Sequence, residues 1–107
     1  MADYKQYTYR VTWSEEDVEY VALCAEFPSL SYLASKPAEA LDNLIKLVKD
    51  VVEDMNANGE AVPVPIAGKR YSGKFVVRIP SEQHRNLAIE AAEQGISLNR
   101  YISSKLV

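Results

Sequence analysis

The chain has 107 residues, 48% of them hydrophobic and 25% charged, an ordinary balance for a soluble globular protein of one domain or two very small ones. No apolar run approaches the roughly 20 residues that span a bilayer. The opening Met1-Ala2-Asp3-Tyr4-Lys5 has no apolar signal core, so a cytoplasmic protein with no membrane partner is expected. The net charge of −3 is unevenly divided: residues 1–67 carry 5 Lys/Arg against 12 Asp/Glu, and residues 68–107 carry 7 against 3. An acidic front and a basic back predict two modules, 1–67 and 68–107, with different partners. The basic end suits phosphate; the acidic end suits a basic protein partner, or simply solubility.

In chain order, Gln6–Trp13 alternates cleanly, with Tyr7, Tyr9, Val11 and Trp13 on one face of a half-buried strand. Ser14-Glu15-Glu16-Asp17 reads as a polar turn and Val18–Phe27 as a second strand, the two forming a hairpin. Either face of this second strand is acceptable as the inner one. Val21, Leu23 and Ala25 are preferred, because Glu19 is the only charge along it and can stay wet. Pro28-Ser29 turns the chain into a short third strand, Leu30–Ala34.

A long helix follows, with Ser35 as candidate N-cap and Pro37 in its first turn. Leu41, Leu44, Ile45, Val48, Val51, Val52 and Met55 fall at spacings of three and four, one stripe for packing on the sheet. Asn58-Gly59 closes the helix. Pro63 and Pro65 keep Glu60–Ala67 non-helical, and Gly68–Ser72 reads as a basic linker. The single cysteine, Cys24, cannot form an internal disulfide and reads as a structural thiol.

The remainder, Gly73–Val107, is one short strand and two helices. Alternation along Lys74–Pro80 sends Phe75, Val77 and Ile79 to one face and Lys74, Val76 and Arg78 to the other. Ser81 opens a helix with Leu87, Ala88 and Ala91 inward, and Gly95 ends it. Ser97 caps a second helix whose stripe is Leu98, Tyr101, Ile102 and Leu106. His84, the only histidine, reads as a packed or capping residue; nothing is spaced to bind metal with it. A module of 35 residues without disulfide or metal needs a twin, so a dimer is expected. Its core would be Phe75, Val77, Ile79, Leu87, Leu98 and Ile102. Two paired strands form a ribbon that fits the DNA major groove, with Lys74, Val76 and Arg78 toward the bases. The N-terminus of the last helix, at Ser97, Leu98 and Asn99, suits a phosphate.

The stretch from Gly73 to Arg85, with Ala91-Ala-Glu-Gln-Gly-Ile-Ser-Leu-Asn-Arg-Tyr-Ile, resembles the ribbon-helix-helix repressors, and more specifically the C-terminal part of HicB-type antitoxins. Tyr7–Trp13, Tyr20-Val21-Ala22, Phe27-Pro28-Ser29-Leu30, Pro37–Leu41 and Pro63-Val64-Pro65 resemble that family's amino-terminal domain. The resemblance implies an α+β chain. Residues 1–67 would form a partial ribonuclease-H-like domain, an antiparallel meander packed on one long helix, and residues 68–107 a dimeric ribbon-helix-helix domain.

It further implies an antitoxin that binds a small basic, mRNA-cleaving, HicA-like toxin and represses its own operon by binding operator DNA. By position, the family's base-reading residues fall on Lys74, Val76 and Arg78, and its phosphate contacts on Ser97, Leu98 and Asn99. Two places depart from the family's pattern: Ser29 stands where Gly often follows Phe-Pro, and Lys36 where Thr often caps the long helix. The alternative function is a stand-alone transcriptional regulator whose first domain binds a ligand or mediates oligomerisation. The assembly would be a homodimer or a dimer of dimers.

No enzyme activity and no cofactor or metal are expected. Ribonuclease H chemistry requires clustered carboxylates holding two metal ions. The first strand has none, and Asp17, Glu19, Glu26, Glu39 and Asp42 come from elements that need not converge.

Overall fold

The computed structural model describes residues 3–106. Three strands, β1 (Tyr9–Ser14), β2 (Glu19–Cys24) and β3 (Ser31–Ala34), precede three helices, α1 (Pro37–Ala57), α2 (Ser81–Glu93) and α3 (Leu98–Lys105). Short 3-10 turns stand at Tyr4–Gln6 and Ile66–Gly68. The class is α+β, and the strands form one antiparallel sheet in the order β1-β2-β3. Among the described residues, no helix is long and apolar enough to cross a membrane. The chain divides into two compact units, Met1–Tyr71 and Ser72–Val107.

The first unit is the sheet with α1 laid on one face. Its core is Tyr7, Ala22, Cys24, Phe27 and Ala34 with Ala40, Leu44, Val48 and Val52 of α1. Ala22 and Ala40 are both fully buried, and their small side chains permit a close approach of helix and sheet. The inner face of β2 is therefore Tyr20, Ala22 and Cys24, not Val21, Leu23 and Ala25 as the sequence suggested. The hairpin register explains the correction: Cys24 lies opposite Tyr9, Ala22 opposite Val11, and Tyr20 opposite Trp13. Directly opposed residues share a face, so the parity of β1 fixes that of β2. Trp13, 44% exposed, meets Tyr20 edge to face at 5.1 Å at the end of the sheet.

The hairpin turn between Ser14 and Glu19 is held by the Ser14 hydroxyl, which donates to the Asp17 carboxylate at 2.8 Å. Val18 closes this turn at φ 52°, a left-handed conformation that costs a β-branched residue about 1–2 kcal/mol. Helix α1 begins at Pro37 with Lys36 in the cap position and no side-chain cap bond, so Ser35 does not cap it. At its other end Gly59 takes φ 71°, and the Glu60 N–H donates to the Met55 carbonyl at 2.9 Å. That six-to-one bond is the left-handed glycine closure expected of Asn58-Gly59.

A buried-end carboxylate ties the first unit together. Glu26 accepts from the backbone N–H of Thr8 at 2.9 Å and of Ile66 at 3.0 Å, and from the Thr8 hydroxyl at 3.3 Å. The Tyr7 hydroxyl adds a bond to the Pro63 carbonyl at 2.7 Å. The segment after α1 is thus pinned beside the start of β1. Partial desolvation pushes the Glu26 carboxyl up, but the N–H donors of Ile66 and Thr8 outweigh it and hold it below the ordinary range. A carboxyl lowered on folding stabilises above its unfolded pKa, and that contribution disappears as pH falls through the folded value. Thermal melts from about pH 7 to about pH 3 should therefore show a wild-type loss on the acid side that Glu26→Gln lacks. At neutral pH the same substitution should cost roughly 1–2 kcal/mol. Parallel pH profiles for the two proteins would refute the assignment.

In the second unit, α2 ends as the sequence indicates. Gly95 has φ 69°, the Ile96 N–H donates to the Ala91 carbonyl at 3.1 Å, and the Gly95 N–H to the Ala92 carbonyl at 3.0 Å. Ser97 caps α3, its hydroxyl accepting from the Arg100 N–H at 3.1 Å. Ala91 and Tyr101 are the buried pair where the two helices meet, and the Tyr101 hydroxyl donates to Glu90 at 2.7 Å. The expected strand at Lys74–Pro80 is not formed within the single chain. A strand requires a neighbour's N–H and C=O groups, and the expectation had placed these on a second copy.

Candidate functional site

The second unit holds an open apolar groove of about 720 Å³. The segment before α2 contributes Phe75, Val77 and Ile79, α2 contributes Leu87, and α3 contributes Leu98 and Ile102. These are the six side chains that the alternating strand and the two helical stripes selected as a dimer core. Phe75 is 74% and Val77 64% exposed, values typical of solvent and not of a core. Val76, at 89% exposure, and Arg78 lie outside the groove, as alternation requires; Lys74 lines its edge with Gly73. Leu106, 69% exposed, and His84 also line the groove. His84 is exposed, neither packed nor capping. Ala88, expected inward, is exposed, while Leu87 is half-buried.

The N-terminus of α3 is only partly satisfied. Ser97 takes the Arg100 N–H through its hydroxyl and the Tyr101 N–H through its carbonyl, the latter at 2.9 Å. Among the described residues the backbone N–H groups of Leu98 and Asn99 have no recorded acceptor. They sit at the positive end of the helix dipole, an arrangement suited to an anion. Asn99 is exposed beside them, and Leu98 turns its side chain to the groove. The structure thus brings together Ser97, Leu98 and Asn99 at one helix end, and the six apolar residues around one concavity.

Sequence reasoning missed the Tyr101–Glu90 bond. Tyr101 was read as one more apolar stripe position; its ring is buried while its hydroxyl reaches across to α2. The Glu90 hydrogen bond, ahead of burial, raises the Tyr101 phenol above its ordinary value. A buried tyrosine one turn from a helix start, with a carboxylate late in the preceding helix, was the available signal.

In the first unit no set of catalytic groups converges. Burial, the largest effect, pushes the Cys24 thiol up and keeps it protonated and unreactive. Among the described residues no group of three or more His, Cys, Asp and Glu side chains is placed to hold a metal ion. Glu26 is engaged by backbone donors, a structural use of a carboxylate.

Comparison with known proteins adds one match. The HicB family model matches residues 57–106, which cover the end of α1, the connecting segment and both helices of the second unit. No curated protein and no solved structure matches the chain.

Proposed function

From a chain consistent over residues 57–106 with a HicB-type family member, and so with a toxin–antitoxin-related role, we propose an antitoxin that neutralises a small mRNA-cleaving toxin by direct binding and represses its own operon. The observation that carries this reading is the groove of the second unit, where six apolar residues chosen by alternation and helical spacing line one solvent-open concavity. A second copy of the chain would fill it. Pairing the two Lys74–Pro80 segments would then supply the missing strand neighbours and leave Val76 and Arg78 pointing away from the apolar layer.

In this arrangement the ribbon enters the major groove of the operator. Arg78 donates two hydrogen bonds to guanine O6 and N7, Val76 touches a thymine methyl, and Lys74 reaches a base edge or a phosphate. The free N–H groups of Leu98 and Asn99 hold a phosphate and fix the ribbon's register. The acidic first unit covers a HicA-like ribonuclease, whose RNA-binding surface is basic; the net −7 of residues 1–67 complements it. The chain carries out no catalytic step of its own and requires no cofactor.

The test is fluorescence anisotropy with the gene's upstream DNA and a scrambled duplex. Arg78→Ala should lose about 1–3 kcal/mol on the upstream DNA and much less on the scrambled one. Equal losses on both would remove base reading from Arg78. Expression of the native operon should co-purify a small basic protein. Its absence would favour the stand-alone regulator.

A further inference from the structure

Lys69, Arg70 and Tyr71 stand outside every role given above. All three are exposed, Tyr71 to 70%. Their root is fixed: the 3-10 turn Ile66–Gly68 ends on a bond from the Lys69 N–H to the Ile66 carbonyl at 3.1 Å, and Glu26 holds the Ile66 N–H. Beyond that root, among the described residues, neither Lys69 nor Arg70 has a recorded side-chain hydrogen bond or ion pair. Only Ser72 and Gly73 separate Tyr71 from Lys74, and the Ser72 hydroxyl accepts from the Lys74 N–H at 3.1 Å in a tight local turn.

The charge pattern around these residues is one-sided. Between Glu60 and Glu82 there are 21 residues with no carboxylate and four cations, Lys69, Arg70, Lys74 and Arg78. With 15 acids in 107 residues, about three would fall in such a stretch at the chain's average density. The acid-free stretch starts well before the proposed ribbon, so the ribbon alone does not account for it. A short exposed arm with two uncompensated cations and an aromatic hydroxyl fits a polyanion that runs past the ribbon, and the duplex already assigned to the ribbon is such a polyanion.

We infer that Lys69 and Arg70, with Tyr71, form a phosphate-gripping arm on duplex DNA, adding affinity without adding sequence preference. The inference rests on the reading of the second unit as a DNA binder. Each cation neutralises one phosphate and releases its counterion, and the Tyr71 hydroxyl donates to a phosphate oxygen.

The experiment measures affinity of the full chain for the upstream and scrambled duplexes from about 50 to about 200 mM salt. Wild type, Lys69→Gln/Arg70→Gln and Arg78→Ala are compared, with circular dichroism as the check that each is folded. The arm variant should weaken on both duplexes by the same factor, and its log–log salt slope should be shallower by about 1.8, or 0.9 per lost contact. Over that salt range the wild type should therefore lose roughly tenfold more affinity than the arm variant. Its preference for upstream over scrambled DNA should stay unchanged, while Arg78→Ala loses that preference. An arm variant with wild-type affinity and slope, in a wild type that does bind, overturns the arm and leaves the ribbon standing. A changed preference in the arm variant overturns the claim that the arm ignores sequence. A wild type that binds neither duplex overturns the ribbon reading, and the arm with it.

Discussion

A Val77→Asp chain is expected to sediment as a monomer at concentrations where the wild type is a dimer, with a dimer dissociation constant raised at least ~100-fold. Val77 lines the apolar groove between Phe75 and Ile79 and faces Leu87, Leu98 and Ile102 around it. In a two-fold dimer each substitution occurs twice, so two carboxylates would enter one apolar layer. Desolvating each costs several kcal/mol, with no cation in the layer to offset it. A loss of about 2.7 kcal/mol already corresponds to ~100-fold. The paired control is Val76→Asp, one residue away, 89% exposed and outside the groove. It should leave the dimer intact and abolish DNA binding by placing a negative charge against the bases. Sedimentation equilibrium decides the matter: a Val77→Asp protein that stays dimeric would move the interface elsewhere in the chain.

Leu44→Ala should cost the first unit about 3 kcal/mol, a large share of the stability a unit of this size commands. Leu44 is fully buried at the centre of the α1 stripe, one turn from Ala40 and one from Val48, which are also fully buried. Ala40 and Ala22 already hold helix and sheet at close range, so the surroundings have little room to collapse onto the space a lost isobutyl group leaves. Trp13 is the only tryptophan and belongs to the first unit, so its fluorescence in a urea titration follows that unit alone. The midpoint should fall sharply for Leu44→Ala and shift little for Lys46→Ala, whose side chain is exposed on the same helix. Similar midpoints for the two variants would contradict the packing described.

The helices were the legible part of this chain. Pro37, Gly59, Gly95 and Ser97 mark helix ends through local chemistry, and the observed boundaries lie at those marks. The sheet was half legible. The alternation in β1 is unambiguous, but β2 has acceptable residues on both faces, and only the hairpin register decides between them. Counting apolar side chains favoured Val21 and Leu23; packing distance favoured Ala22 and Cys24. The segment Lys74–Pro80 reads as a strand by pattern and is none in the single chain, because pattern records a face and a strand requires a partner. The Glu26 clamp was illegible, since it joins residues 18 and 40 positions distant through one side chain. Of the candidate site, the apolar groove followed from periodicity. The Tyr101–Glu90 bond and the exposure of His84 depend on how α2 and α3 face one another.

The exposed run Phe75-Val76-Val77 also bears on solubility before any partner is met. It is β-prone, apolar and uncovered, the composition that seeds sheet stacking between chains. Lys74 and Arg78 bracket it directly, in the position of gatekeepers whose charge repels a second run in the wrong register. The cations proposed to read bases thus also guard the unpaired segment against aggregation. Neutralising both with alanine would remove reading and protection together. Reversing them to glutamate would remove the reading and keep the guard.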